Sequence, residues 1–224
     1  MASLEDFLIK LEQNAQTALA EYNFVVDAES LDYTNFGSGQ PLIQDEFKEV
    51  DVTLEYAAET ILIRAMRADD STRNSMRIWY LPWKHPAAGG ISQAELSGAG
   101  PGIFLTSQLD GCRFTIQYHT GDMTKATVLH LAGTFGLDAK GAKAREKLET
   151  EALATVPKGA DRRRYSIGKY SRKPQFMPLP SDGVRLYYDG GKATVLGVRG
   201  KDAKWKFFAQ QYNNDTFLSA KELS

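Results

Sequence analysis

Most of the chemistry this chain can offer lies in two residues. One is Cys112, its single cysteine, and the other is His130, in Thr127-Val128-Leu129-His130-Leu131-Ala132-Gly133. A lone cysteine makes no internal disulfide and no CxxC metal site, so it is either a small buried hydrophobe or a nucleophile. Its setting, Phe104-Leu105-Thr106-Ser107-Gln108-Leu109-Asp110-Gly111-Cys112, favours the nucleophile, because Gly111 lets the backbone turn tightly or approach closely just before the thiol. A thiol attacks as its thiolate, and an imidazole beside it is a suitable base.

The elements around these residues must bring them together. Arg113–His119 alternates polar and apolar residues and predicts a strand. Thr120-Gly121-Asp122 is turn chemistry, and Thr127–Ala132 reads as the returning strand. Opposed residues of an antiparallel hairpin share a face, and a loop centred on Gly121 sets Cys112 opposite His130. His119 sits an odd number of positions from Cys112 on the same strand. That puts it on the other face, roughly 23 Å away at about 3.3 Å per residue. His130 is therefore the better base, although a register change of one residue would turn it to the wrong face.

Before the hairpin, Ser3 and Asp6 resemble a capping box, and apolar spacing predicts one amphipathic helix over residues 4–21 that packs on the core. Residues 28–46 read as loop. Ile61–Met66 and Met76–Leu81 read as strands, and the Gly/Ser-rich stretch Ala87–Pro101 reads as loop leading to a short strand over Gly102–Leu105. Residues 138–153 predict a second helix with Asp138 as N-cap. Val184–Tyr188 and Ala193–Val198 flank Asp189-Gly190-Gly191, a hairpin signal, and Lys204–Ala209 is a last strand. The expected class is α+β, a mixed β-sandwich with flanking helices in one domain over residues 1–224.

Composition narrows the function classes. With 224 residues, 42% of them hydrophobic, the chain can bury one sizeable core. A formal net charge of -1 gives no bulk attraction to nucleic acid or membrane, and no run of about 18 apolar residues predicts a membrane span. No cleavable secretory signal is visible, and one cysteine suits a reducing compartment. Lys and Arg gather over Lys140–Lys173, centred on Arg162-Arg163-Arg164, either as a solvated helix and loop or as a docking patch for an acidic partner. There is no GxGxxG, P-loop, HExxH or GxSxG pattern, so no nucleotide, zinc or serine-hydrolase chemistry is indicated. Asp69-Asp70 is a turn pair, and His85 belongs to a loop.

Leu109-Asp110-Gly111-Cys112, the strand after it and the later strand with His130 resemble the catalytic motif of the bacterial glutamine-deamidase toxins. That family contains the catalytic domain of cytotoxic necrotizing factor and the Burkholderia lethal factor. Its motif is Leu-Ser-Gly-Cys, followed after one hairpin by a histidine. Members similar to the Burkholderia toxin carry a threonine six residues before the cysteine, where Thr106 stands here. The likeness covers roughly residues 102–133, and Asp110 departs from the family serine. A negative charge there would raise the thiol pKa.

The resemblance implies hydrolysis of a glutamine side-chain amide in a host protein. Cys112 would be the nucleophile and His130 the base and then the acid. Thr106 would orient His130 or contact the substrate, and backbone N–H groups of Gly111 and Cys112 would form an oxyanion site. An imidazolium would lower the thiol pKa. No metal or organic cofactor is implied. The resemblance further implies a monomeric bacterial protein, released without a cleaved signal and acting in the host cytosol. Its substrate would be a translation-initiation helicase or a Rho-type GTPase. Two alternatives stand beside it. One is another Cys–His acyl-transfer enzyme, a protease or transglutaminase. The other is a non-enzymatic, partner-binding β-sandwich in which Cys112 packs with Phe114, Ile116 and Tyr118, His130 is an interior histidine and Thr106 is ordinary strand composition.

Overall fold

Helical spacing of apolar residues in the first 21 positions, then long stretches of β-branched and aromatic residues, give a mixed α+β molecule made mostly of strands. The computed structural model describes residues 4–27, 30–31, 33–34, 42–43, 47–57, 60–70, 74–84, 89–133, 139–157, 163–169, 176–179, 183–188, 191–213 and 216–224. The proposed capping residues Ser3 and Asp138 lie outside these, as do His85 and Arg162.

The single N-terminal helix expected over residues 4–21 is two helices, α1 (Leu4–Gln13) and α2 (Ala15–Glu21). The break is Asn14, whose extended backbone and side-chain oxygen, accepting from the Thr17 N–H, make it the N-cap of α2. Strands follow as β1 (Asn23–Val26), β2 (Tyr33–Thr34), β3 (Leu42–Ile43), β4 (Lys48–Ala57), β5 (Thr60–Ala65) and β6 (Ser75–Leu81). Next are β7 (Ile91–Leu96), β8 (Ile103–Thr106), β9 (Arg113–Tyr118) and β10 (Ala126–Leu131). Helix α3 (Ala139–Ala154) precedes β11 (Arg164–Lys169), β12 (Phe176–Leu179), β13 (Gly183–Tyr188), β14 (Lys192–Arg199), β15 (Trp205–Asn213) and β16 (Thr216–Glu222). Residues 28–46 are thus not all loop, because β2 and β3 pair within them. The stretch Ala87–Pro101 contains β7, whose inward residues Ser92, Ala94 and Leu96 alternate with exposed Gln93 and Glu95.

One sheet has the order β1-β5-β4-β6-β8-β14-β15-β16 and the other β12-β13-β11-β9-β10-β7. The predicted hairpin around Asp189-Gly190-Gly191 does not form: β13 pairs with β11 and β12, whereas β14 pairs with β8 and β15. Asp189 and Gly190 themselves lie outside the described residues. The two sheets face each other over one apolar core. Phe114 and Tyr118 of β9 meet Phe207 of β15, and Phe104 of β8 lies 5.8 Å from Phe114, ring centre to ring centre. Burying each such ring stabilises the fold by about 1.5–3 kcal/mol.

The outer faces are covered by the helices. Phe7, Leu11, Ala18 and Leu19 of α1 and α2 pack with Val52, Ile61, Ile63, Leu105 and Leu196 on the larger sheet. Buried Gln210 of β15 fastens this layer. Its side-chain N–H groups donate to the Leu19 and Tyr22 carbonyls, and its oxygen accepts from the Phe24 N–H. On the smaller sheet, Leu129 and Leu131 of β10 pack with Leu153 of α3 and with Val156 just beyond it. Arg113 of β9 donates to Glu149 of α3 at 2.7 Å, and the Thr115 hydroxyl donates to the same carboxylate at 3.1 Å.

Candidate functional site

The site is built from the end of β8, the loop into β9, and β10. Leu109 exchanges two backbone hydrogen bonds with Ala193 of β14, which pins the loop to the larger sheet. Gly111 has φ of +82°, a left-handed conformation that an L side chain rarely adopts, so the glycine before the thiol is required by the turn. Gly133, just beyond β10, closes on this turn from the other side. A Cβ on Gly133 would stand 2.4 Å from the Gly111 carbonyl carbon and 2.8 Å from the Cys112 nitrogen.

The hairpin register differs from the expected one. His130 is paired with Phe114, and Leu131 with Arg113, so Cys112 falls opposite Ala132 and diagonal to His130. The reason lies in the loop. Asp122 accepts from the Thr120 hydroxyl and the Thr124 N–H, Met123 takes φ of +61°, and the turn centres on residue 122 instead of Gly121. The slip is two residues, so the face is kept. Cys112, Phe114 and His130 all lie on the face turned to the larger sheet. His119 is elsewhere, bonded through Nε2 to Thr127.

Thr106, the last residue of β8, reaches His130 from the facing sheet, with its Oγ1 2.7 Å from Nδ1. The same hydroxyl donates to the Leu81 carbonyl at 2.7 Å. A hydroxyl has one proton, and a carbonyl only accepts. The Thr106 oxygen must therefore accept from the imidazole, which places the ring proton on Nδ1. Nε2 is left as the basic nitrogen. It is buried and has no hydrogen-bond partner among the described residues. Next in sequence to Thr106, the Ser107 hydroxyl oxygen accepts from the Trp83 N–H and meets the Tyr80 hydroxyl, tying the ends of β6 and β8 together.

Both side chains are enclosed. Cys112 is 4% exposed and His130 is 0% exposed. Burial drives the Cys112 pKa up to about 11, against the opposing effect of the Gly133 and Asp110 backbone N–H groups; Asp110's charge raises it further and Arg145's charge lowers it. Burial drives His130 down to about 3. The resting pair is thus a neutral thiol and a neutral imidazole. This corrects the expectation that an imidazolium lowers the thiol pKa, because the protein interior disfavours both charges. A groove of about 500 Å³, lined by Leu8, Leu11, Met76, Ile103 and Val198, lies under α1 on the outer face of the larger sheet and does not open on Cys112.

The basic stretch is described only in part. Arg145 is buried, Arg163 is exposed, and Arg164 donates to Gln117. In the Asp69-Asp70 turn, Arg64 grips Asp70 through two nitrogens at 2.6 Å and holds its carboxyl well below the usual range. Among the described residues there is no group of three His, Cys, Asp or Glu that could hold a metal, and no helix long and apolar enough to cross a membrane. Sequence reasoning did not single out Gly133, Arg145 or Ser92. Ser92 is directly opposite His130 on β7, and its only signal was the alternation in Ile91-Ser92-Gln93-Ala94-Glu95-Leu96. Comparison with protein-family models finds no match, and comparison with curated proteins finds none either.

Proposed function

We propose that this chain is a protein-glutamine deamidase, with a fold of the kind found in the catalytic domain of cytotoxic necrotizing factor. The observation that carries the reading is the Thr106–His130 bond. Thr106 donates its proton to Leu81 and accepts from Nδ1, which leaves a basic nitrogen, without a partner among the described residues, on the face that also carries Cys112. A substrate carboxamide is attacked by Sγ as the thiol proton passes to Nε2, so the charges develop during attack and not before it. The C–N bond breaks, ammonia leaves with that proton, and water hydrolyses the thioester to glutamate. Backbone N–H groups of Gly111 and Cys112 are the expected oxyanion donors. No metal or organic cofactor takes part in this scheme.

The motif resemblance supports a monomeric bacterial toxin acting in the host cytosol. Its protein substrate would be a translation-initiation helicase or a Rho-type GTPase. One observation favours a second reading. The deep burial of Cys112 suits a partner-binding β-protein with a structural cysteine.

Ammonia release and intact-mass analysis of host-cell proteins separate the two. Amide-to-acid conversion should vanish in Cys112→Ser and His130→Ala and fall in Thr106→Val. An inert Cys112 toward iodoacetamide, with no conversion in any lysate, decides for the binding protein.

A further inference from the structure

His130 has a neighbour that the scheme above does not use. In the β7–β10 register Ser92 is its direct partner, and opposed residues share a face with Cβ atoms about 4.5–5.5 Å apart. Ser92 is 4% exposed, and its Oγ, like His130 Nε2, has no hydrogen-bond partner among the described residues. A buried polar atom left unpaired costs about 1–3 kcal/mol, and folds rarely retain one without a use. Here two stand on one face, side by side. β10 lies between β9 and β7, so His130 stands between the thiol and this hydroxyl.

We propose that Ser92 Oγ and His130 Nε2 together hold the water that hydrolyses the acyl-enzyme, with Ser92 as its positioning residue. The inference rests on the deamidase reading and adds the second half of the reaction to it. The water donates one proton to Nε2 and the other to Ser92 Oγ, which leaves its lone pairs for the thioester carbon. Its oxygen bonds to that carbon as its proton passes to Nε2. The C–Sγ bond breaks, and Sγ takes the proton back from Nε2. Thiol and imidazole are restored, and the substrate leaves as a carboxylic acid. Capture of the thioester by water, and not by an amine, is what separates a deamidase from a transglutaminase, so Ser92 fixes the reaction outcome.

The test uses p-nitrophenyl acetate as acyl donor and follows p-nitrophenolate release together with peptide mass mapping of Cys112, in the wild-type chain and in Ser92→Ala. Removing an unpaired hydroxyl leaves the packing intact, so the variant should fold and acylate normally. The expected result is an equal burst in both proteins, corresponding to one acetyl group on Cys112. Steady-state release in Ser92→Ala should then be slower by at least about tenfold, with the acetyl group persisting on Cys112. Equal steady-state rates overturn the proposal. So does a burst reduced in proportion to turnover, since Ser92 would then be structural. No acetylation of Cys112 in the wild type overturns the deamidase reading and this proposal with it.

Discussion

His130 is a neutral base that the fold holds neutral far below its usual range, and that has a measurable consequence. The folded imidazole takes a proton near pH 3, whereas the unfolded chain takes one near 6.5. Between those values the unfolded state binds more protons. The stability that His130 brings is therefore complete above pH 6.5 and is lost as the pH falls toward 3, at up to about 1.4 kcal/mol per unit. Cys112 acts at the other end. The unfolded thiol ionises near 9 and the folded one near 11, so stability falls as the pH rises through that window. Melting curves from pH 7 to pH 4 should show a shallower acid decline in His130→Gln than in the wild type. Parallel declines would mean that His130 is not the buried neutral group described above.

At the scale of elements, the site depends on two backbones in contact: the Gly111–Cys112 turn and the end of β10 at Gly133. Gly133→Ala would drive a Cβ to 2.4 Å from a main-chain carbon, and no side chain can swing aside to relieve it. The expected outcome is a loss of roughly 1–3 kcal/mol in chemical denaturation and a changed rate of Cys112 alkylation. Unchanged stability would show that the turn is loose. The hairpin itself was legible in the sequence, because the polar–apolar alternation of Arg113–His119 and the even interval from Cys112 to His130 fix which face each occupies, whatever the even slip of the loop. The centre of the turn was not, since Asp122 outweighs Gly121 through side-chain bonds that composition alone does not rank. β7 was hidden by the Gly and Ser residues around it, and with it the neighbour of His130. The burial of Cys112 was equally hidden, because it comes from the facing sheet, which is distant in sequence.

At the scale of the whole molecule, a layer of helix lies on each outer face, and each is fastened by buried polar groups as well as by apolar contact. Beneath α3, Glu149 is fully buried and accepts from both Arg113 and Thr115. Glu149→Leu would strip Arg113 of its buried partner and leave it, among the described residues, the exposed Glu146 as its acidic partner, at a cost of about 3–5 kcal/mol in urea unfolding. Replacing Arg113 by Met in the same chain should return much of that loss. A double variant no more stable than the Glu149→Leu single would mean that the pair contributes nothing specific to α3 docking. On the opposite outer face, Gln210 joins Leu19, Tyr22 and Phe24 across sequence separations of at least 186 positions. A ribosome adds about 5–20 residues each second, so the early helices emerge roughly 10–40 s before the side chain that secures them exists. During that interval the apolar stripe of α1 and α2 has no finished surface to cover, and a nascent chain stalled before residue 210 should be the form most easily captured by a chaperone.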